Sequence, residues 1–236
     1  MNNRPIGVFD SGIGGLTVAS AIVEKCPQES ILYFGDTGHL PYGNKSNATV
    51  KKLSLINTEF LMSRGVKMIV VACNSATATA LEDIIQAVEV PVIGVIKPGA
   101  KEALVYSRQK KIGIIGTSRT IASQSYIQAV HDIEEKAFVV QKSCPLFVPL
   151  IEENWIEHKA TSLIIQEYLD EFLRKNALDT LVLGCTHYPL LKHRIQEIYP
   201  QLTLVDSAEA TANQVKEILD STGLIRTEEV APEYDF

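Results

Sequence analysis

Two short segments of this chain follow the same pattern and constrain its fold more than any other feature. Residues 68–77 and 181–189 each read as a run of branched apolar residues, a cysteine, and small or polar residues at which a helix is predicted to begin. Apolar runs this short are typical of strands buried on both faces of a parallel sheet. Ligands bind beyond the carboxyl ends of such strands, where Cys73 and Cys185 fall. The pattern therefore predicts one thiol on each side of a single bound substrate.

A second repeated pattern indicates an internal duplication. Residues 6–12 and 112–118 both read as a strand followed by a polar turn and begin 106 residues apart, while the two cysteines are 112 residues apart. A duplicated unit predicts an α/β fold with two similar domains, each with a central, mostly parallel sheet, related by a pseudo-twofold axis. The active site is then expected between the domains, a favoured place for ligand sites.

The limits of these two domains are predicted from the same repeat. We expect residues 1–96 and 207–236 to form the first domain, which carries Cys73, and residues 97–206 to form the second, which carries Cys185. The chain is expected to cross between the domains near Lys97–Gly99, where proline and glycine follow a predicted strand.

Length, charge and hydropathy exclude several classes of protein. With 236 residues, of which 46% are hydrophobic, the chain can bury a sizeable core in one or two domains. A net charge of −6, without a cluster of lysine or arginine, argues against a nucleic-acid partner. No apolar stretch approaches the roughly 18 residues of a membrane span, and Met1–Pro5 lead into the first strand without a signal-peptide pattern. We expect a soluble, cytoplasmic protein without a membrane partner.

The four cysteines are predicted to be free thiols. An even number permits disulfide pairing, but their scattered positions in a long chain without a secretion signal favour a reducing compartment. Cys185 and His187 offer two zinc ligands, yet no companion pair has a suitable spacing, so no metal is predicted. Inert, buried side chains are expected for Cys26 and Cys144.

The glycine-rich loop Asp10–Gly15 lies between the first predicted strand and a helix predicted over residues 16–25. It resembles a dinucleotide-binding loop, but that fingerprint requires glycine at position 17, where Thr17 stands. What remains is a set of backbone N–H groups at a helix N-terminus, which suits a carboxylate as well as a phosphate. A nucleotide is therefore not the preferred ligand.

Three other segments have interpretations that the residues alone leave open. His39–Asn44 follows the second strand and reads either as an ordinary surface loop or as a substrate-lining loop. Asn74 and Ser75 stand where a helix N-cap belongs, so one of them is expected to cap the helix. For Glu152–Glu153 a solvated helix start is the simpler interpretation, and a carboxylate drawn into the interior is the alternative.

Two opposed thiols suit one reaction class in particular. A thiolate is an effective base only when its pKa falls below the free value of about 8.5, which requires a helix N-terminus or a suitable neighbour. His187 is the obvious partner of Cys185, and Asp10 is a candidate partner of Cys73. Inverting a stereocentre requires a base on one face of a carbon and an acid on the other, and the two exchange roles with direction. The pair therefore predicts chemistry that inverts a stereocentre.

Five motifs occur together in this chain: residues 10–15, 41–43, 71–76, 144–150 with Glu152, and 184–189. In this order they closely resemble the glutamate racemases, which belong to the cofactor-independent aspartate/glutamate racemases, and the resemblance covers nearly the whole chain. It implies an enzyme that interconverts L- and D-glutamate without a cofactor and supplies D-glutamate for bacterial peptidoglycan. It also implies a homodimer.

The resemblance further implies a role for each matching residue. Cys73 would exchange the Cα proton with D-glutamate, assisted by Asp10, and Cys185 would exchange it with L-glutamate, assisted by His187 and Glu152. The residues implied to hold the substrate's carboxylates and ammonium are Asp10, Ser11, Pro41, Tyr42, Gly43, Asn74, Ser75, Thr117, Thr120, Thr186 and His187. Hydroxyls and backbone N–H groups of this kind balance the charge of the substrate without a metal or pyridoxal.

Three departures from the family pattern bear on these expectations. Ser75 stands where threonine is frequent and keeps the hydroxyl. Asn154 stands where glycine is common, so the turn after Glu152 is expected to differ. The family usually continues somewhat beyond position 236.

Three alternatives to a glutamate racemase remain open at this point. A racemase for aspartate or another amino acid has the same plan of two cysteines. A two-domain amino-acid-binding protein needs neither Cys73 nor Cys185, and a thiol hydrolase needs only one of them.

Overall fold

Two parallel sheets form the framework of the computed structural model, which describes residues 3–227 and 230–236. The first sheet has the strand order β4-β3-β1-β2-β9 and the second has the order β6-β5-β7-β8. The strands of the first sheet are β1 (Ile6–Asp10), β2 (Ile31–Gly35), β3 (Met68–Val71), β4 (Val92–Gly94) and β9 (Tyr234–Asp235). Those of the second sheet are β5 (Lys111–Gly116), β6 (Phe138–Ser143), β7 (Thr180–Gly184) and β8 (Thr203–Asp206).

Helices connect the strands and cover both faces of the sheets. They are α1 (Leu16–Lys25), α2 (Asn47–Ser63), α3 (Asn74–Ala87), α4 (Ile96–Tyr106), α5 (Ser118–Ser123), α6 (Ser125–His131), α7 (Phe147–Glu152), α8 (Lys159–Asn176), α9 (Lys192–Ile198) and α10 (Ser207–Thr222), with 3₁₀ turns at Tyr42–Asn44 and Tyr188–Leu191. Among the described helices, none combines the length and the apolar composition that crossing a membrane would require.

The two sheets have the same topology. When the edge strand β9 is set aside, the order β4-β3-β1-β2 corresponds strand by strand to β8-β7-β5-β6, and every pairing is parallel. Strands β3 and β7 therefore occupy equivalent places beside the central strands β1 and β5. The predicted fold class, two similar α/β units with parallel sheets, is confirmed.

Alternation along the strands explains how the first sheet is buried on both faces. Met68 and Val70 belong to a core cluster that includes Val18 of α1, whereas Ile69 and Val71 of the same strand belong to a cluster with helices α2 and α3. Successive side chains of a strand point to opposite faces, so a strand covered on both faces must be apolar throughout. This is why residues 68–71 form an unbroken apolar run.

The crossing between the sheets is made by a helix. Lys97–Gly99, expected at the crossing, lie in the first turn of α4, which packs against β7 and β8 of the second sheet. Pro98 is tolerated there because the first N–H groups of a helix have no intrahelical acceptor. Proline and glycine usually indicate a turn, so the sequence did not predict a helix here. The limits of the two domains remain a prediction.

A buried ion pair holds the C-terminal segment, which follows helix α10, against the first unit. Lys67 and Glu29 are both fully buried, and Lys67 Nζ donates to Glu29 Oε2 at 2.5 Å and to the Leu224 carbonyl at 2.7 Å. The other carboxylate oxygen of Glu29 accepts from the backbone N–H of Arg226 at 2.8 Å. From there the chain leads to β9, which pairs with β2 and was not predicted.

Candidate active site

A cavity of about 30 Å³ lies between the carboxyl ends of β3 and β7. Both cysteines reach it, and each is nearly buried, with 5% exposure for Cys73 and 6% for Cys185. The residues lining it are Ser11, Pro41, Tyr42, Gly43, Cys73, Asn74, Ser75, Thr117, Val148, Cys185, Thr186 and His187. The equivalent strands thus bring two thiols from distant parts of the chain to one enclosed space.

Nearly all of the residues singled out from the sequence meet at this cavity. The exceptions, Asp10, Thr120 and Glu152, lie directly behind it and contact or act on residues that line it. Val148, on the short helix α7, lines the cavity but was not anticipated. Its apolar side chain carries no chemical signal in the sequence.

Cys73 is the N-cap residue of α3 and is held as a thiol in this structure. Burial raises its pKa to about 12, and the negative charge of Asp10 acts in the same direction. The thiol donates to the Ser11 hydroxyl at 3.7 Å. The backbone N–H groups of Ala76 and Ser11 oppose the rise in pKa because they favour the thiolate.

Asp10 ends β1 as a fully buried carboxylate. Its Oδ2 accepts hydrogen bonds from the backbone N–H groups of Gly15 at 3.0 Å and Gly12 at 3.3 Å. Burial raises the pKa of Asp10, while the nearby His187 lowers it. Within the described part of the chain, Oδ1 has no hydrogen-bond partner. Because a buried carboxylate oxygen without a partner is costly, this atom is a ready acceptor for a cationic ligand.

Cys185 begins a chain of three polar side chains in the second unit. Its Sγ lies 4.0 Å from His187 Nδ1, and His187 Nε2 lies 3.2 Å from Glu152 Oε1. Burial raises the pKa of Cys185, and the backbone N–H of His187 opposes this effect. Glu152 ends helix α7, so the expected helix start at Glu152–Glu153 is wrong, although both glutamates are exposed as that interpretation expects. One carboxylate is drawn to the histidine beside the second thiol.

Close packing explains two glycines of the loop after β1, against the second unit at Gly14 and within the first unit at Gly15. A Cβ at Gly14 would lie 2.5 Å from His187 Nδ1, and one at Gly15 would lie 2.4 Å from the Asp10 Cβ. Thr17, the residue that breaks the dinucleotide fingerprint, donates to the Thr186 carbonyl at 3.1 Å. The loop therefore holds the first unit against the turn that carries Cys185.

The segment Pro41–Gly43 lines the cavity, which favours the second of the two interpretations left open for this loop. The Tyr42 hydroxyl donates to Asp36 Oδ2 at 2.5 Å and accepts from Asn57 at 3.1 Å. Since the hydroxyl is engaged within the first unit, Tyr42 presents its ring and backbone to the cavity. Gly43 packs so closely on Thr117 that a Cβ would lie 2.7 Å from the threonine Cβ.

Asn74 and Ser75 do not cap α3 through their side chains, so that expectation is wrong. The N-cap residue is Cys73, which directly precedes Asn74. Ser75 instead lies 3.0 Å from Thr117 Oγ1 and 3.4 Å from Thr120 Oγ1, across the boundary between the two units. Both residues are thereby free to face the cavity.

Asn154 makes the turn after Glu152 with a backbone φ of 58°. This left-handed conformation favours glycine, and asparagine is among the residues that tolerate it best. The turn that glycine would make is therefore kept, contrary to the expected difference.

The chain matches known proteins over almost its full length. The family model described as Asp/Glu/Hydantoin racemase matches residues 6–215. A glutamate racemase of Chlorobaculum tepidum is 49% identical over 226 residues, which cover 95% of this chain and 83% of that protein. One from Geobacter metallireducens is 50% identical over 224 residues, covering 94% and 83%.

Solved structures show the same similarity in three dimensions. A glutamate racemase of Bacillus anthracis has a TM-score of 0.95 at 38% identity, with 99% of this chain and 88% of that chain covered. The glutamate racemase of Francisella tularensis in complex with D-glutamate has a TM-score of 0.92 at 36% identity, covering 99% and 87%. The aspartate racemase of Picrophilus torridus shares the fold with a TM-score of 0.60 at 18% identity, covering 96% of each chain. Both the sequence and the fold place this chain in the Asp/Glu/hydantoin racemase family.

Proposed function

We propose that this protein is a glutamate racemase, which interconverts L- and D-glutamate and supplies D-glutamate for peptidoglycan. The observation that carries the proposal is the pair of thiols at equivalent strand ends, Cys73 and Cys185, facing one cavity from two sides. Curated glutamate racemases are 47–50% identical to this chain, whereas the solved structures named for aspartate racemase or its homologue are only 18–19% identical. Glutamate is therefore the preferred substrate over aspartate.

In the proposed mechanism one cysteine removes the Cα proton and the other returns a proton to the opposite face. Cys185 acts as the base on L-glutamate and Cys73 as the base on D-glutamate, and in each case the other cysteine is the acid. The sulfur that accepts the Cα proton becomes a thiol, and the sulfur that donates becomes a thiolate, so charge and protons balance. No cofactor enters this scheme.

The positive charge of the substrate's ammonium group would favour ionisation of the Cys73 thiol. In the structure, burial and the charge of Asp10 keep Cys73 protonated, because both disfavour a second negative charge. The ammonium group of an amino acid beside Asp10 Oδ1 would offset that charge and so favour a thiolate. Hydroxyls of Ser11, Ser75 and Thr186 and the Asn74 amide are placed to bind the carboxylates.

The test of this proposal is proton NMR of L-glutamate and, separately, of D-glutamate with the protein in D₂O. Loss of the Cα proton signal, coupled to inversion from either enantiomer, supports racemisation by two bases. If glutamate binds and neither enantiomer loses its Cα proton, an amino-acid-binding protein replaces the racemase. Faster exchange of aspartate than of glutamate would favour the aspartate racemase instead.

We also propose a homodimer in the cytoplasm. Dimerisation is inferred from the family resemblance, and light scattering coupled to gel filtration would reveal a mass near twice 26.0 kDa or contradict it. The four free cysteines support a reducing compartment.

Replacing Gly14 by alanine is expected to lower kcat/KM for both enantiomers by about 100-fold, a typical cost of a 1 Å misplacement in an active site. The new Cβ would overlap His187 Nδ1 and displace the histidine from Cys185. Gly38→Ala is the matched control, since a Cβ there meets no heavy atom within 4 Å. Racemase assays of the two variants, with circular dichroism to verify folding, check this. Equal activity of both variants would contradict the packing argument.

Replacing Glu152 by glutamine is expected to slow the proton transfers at Cys185 by about tenfold, since His187 loses its anionic partner. The equilibrium constant of a racemisation is 1, so kcat/KM must fall equally in both directions. Isotope effects separate the two thiols: the effect of 2-deuteration should rise for L-glutamate and not for D-glutamate, because proton removal by Cys185 becomes limiting. A rise for D-glutamate alone would assign Glu152 to the other thiol.

A further inference from the structure

A buried tyrosine of the second unit, Tyr126, contacts the side-chain amide of Asn74, which belongs to the first unit and faces the cavity. Tyr126 lies on α6, is 1% exposed, and donates its hydroxyl hydrogen to Asn74 Oδ1 at 2.7 Å. Asn74 follows Cys73 directly, is 2% exposed, and lines the cavity. The hydrogen bond therefore joins the two units immediately beside the first thiol.

This hydrogen bond determines which end of the Asn74 amide faces the substrate. An amide has one acceptor end and one donor end, so a bond to Oδ1 leaves Nδ2 pointing away from the tyrosine. Within the described residues, Nδ2 is buried and has no hydrogen-bond partner. A buried N–H₂ group without a partner is costly, and a carboxylate in the cavity would relieve that cost.

The surroundings of Tyr126 keep it in this donating role. Burial raises the pKa of its hydroxyl, so the group stays protonated at neutral pH, and the Ser207 hydroxyl is its other hydrogen-bonding neighbour. The ring packs closely against Gly99 and Gly184. A Cβ added at Gly99 would lie 3.4 Å from an atom of the tyrosine, and one added at Gly184 would lie 3.1 Å from another. Because the ring is packed on both sides, the hydroxyl stays beside the Asn74 amide.

We infer that Tyr126 is a positioning residue for racemisation, which orients the Asn74 amide so that Nδ2 donates to a carboxylate of the bound amino acid. This inference rests on the proposed function. Without the tyrosine hydroxyl, the amide is free to rotate by half a turn, and its carbonyl oxygen would then repel the substrate carboxylate. Tyr126 acts through Asn74 and does not itself touch the substrate.

The test compares Tyr126→Phe, Asn74→Ala and the double variant, with Tyr199→Phe as the matched control. Tyr199 also donates its hydroxyl to a side chain, Asp170 Oδ1 at 2.5 Å, but lies outside the cavity. For Tyr126→Phe we expect KM for both enantiomers to rise about tenfold with kcat nearly unchanged, because a charge-assisted hydrogen bond used in binding is weakened. Tyr199→Phe should keep the wild-type KM.

The double variant distinguishes positioning from a general structural role. If Tyr126 acts through Asn74, Tyr126→Phe adds nothing to KM once Asn74 is alanine, whereas independent effects would multiply. A multiplied effect, or a wild-type KM for Tyr126→Phe, overturns the inference. If the wild-type protein does not racemise glutamate, the proposed function fails. In that case, calorimetric titration of the same four variants with L-glutamate tests the inference. The dissociation constants should then follow the pattern expected for KM.

Discussion

Serine at either Cys73 or Cys185 is expected to reduce racemisation of both enantiomers by about 10³-fold, within the range typical of general acid–base catalysis. A serine hydroxyl is a far weaker acid than a thiol, so it can supply neither the base nor the acid at its face of the substrate. Both directions fail in both variants because, in the proposed mechanism, each turnover uses one sulfur as base and the other as acid. Polarimetry with each enantiomer measures the two rates.

The matched control for this prediction is Cys26→Ser. Cys26 is also a buried free thiol, but it lies in the core cluster between the first sheet and helices α1 and α10. This variant should lose some stability and keep its turnover rate. Loss of activity in only one of the two site variants would point to a thiol hydrolase with a single nucleophile. Full activity in both would remove the thiols from the mechanism.

Lys67→Met is expected to lower the free energy of unfolding by about 3–5 kcal/mol, because it leaves the carboxylate of Glu29 buried without its cation. A loss of this size corresponds to a fall of about 10 °C in the melting temperature of a chain of this length. Calorimetry or thermal circular dichroism measures it. The effect should reach the C-terminal segment first, since Lys67 also holds the Leu224 carbonyl.

Two further variants show whether the burial of the charge is the cause. Glu29→Leu combined with Lys67→Met removes both charges and should recover much of the lost stability, because no uncompensated ion remains. Lys101→Met breaks an ion pair with Glu217 in which both side chains are about two-thirds exposed, and it should change stability by less than about 0.5 kcal/mol. Equal destabilisation by Lys67→Met and Lys101→Met would contradict the argument.

The sequence predicts those parts of this molecule that leave a local pattern. Residues 68–71 and 181–184 are apolar throughout because both faces of their strands are covered, and the cysteines that follow them therefore fall at the carboxyl edges of the sheets. The parallel topology and the meeting of the two thiols follow from this pattern and from the duplication.

Long-range contacts could not be predicted in the same way. Tyr126 reaches Asn74 across 52 positions of the chain and leaves no periodic signal. Glu152 reaches His187 across 35 positions, and only the family resemblance implied that the two act together. The local interpretation of Asn74 as a cap failed because its side chain is engaged by the second unit instead. Strand β9 was missed since its two residues gain their structure only by pairing with β2.

The small volume of the closed cavity has a consequence for how successive turnovers are linked. About 30 Å³ has room for no more than a few water molecules, so we expect the two units to move apart when glutamate enters and leaves. In the proposed mechanism, conversion of L- to D-glutamate starts with a thiolate at Cys185 and ends with one at Cys73. The free enzyme that releases D-glutamate is thus prepared for D-glutamate again, and it must return a proton to Cys73 and lose one from Cys185 before it accepts another L-glutamate. This resetting of the open enzyme is a step of its own, separate from the proton transfers in the cavity.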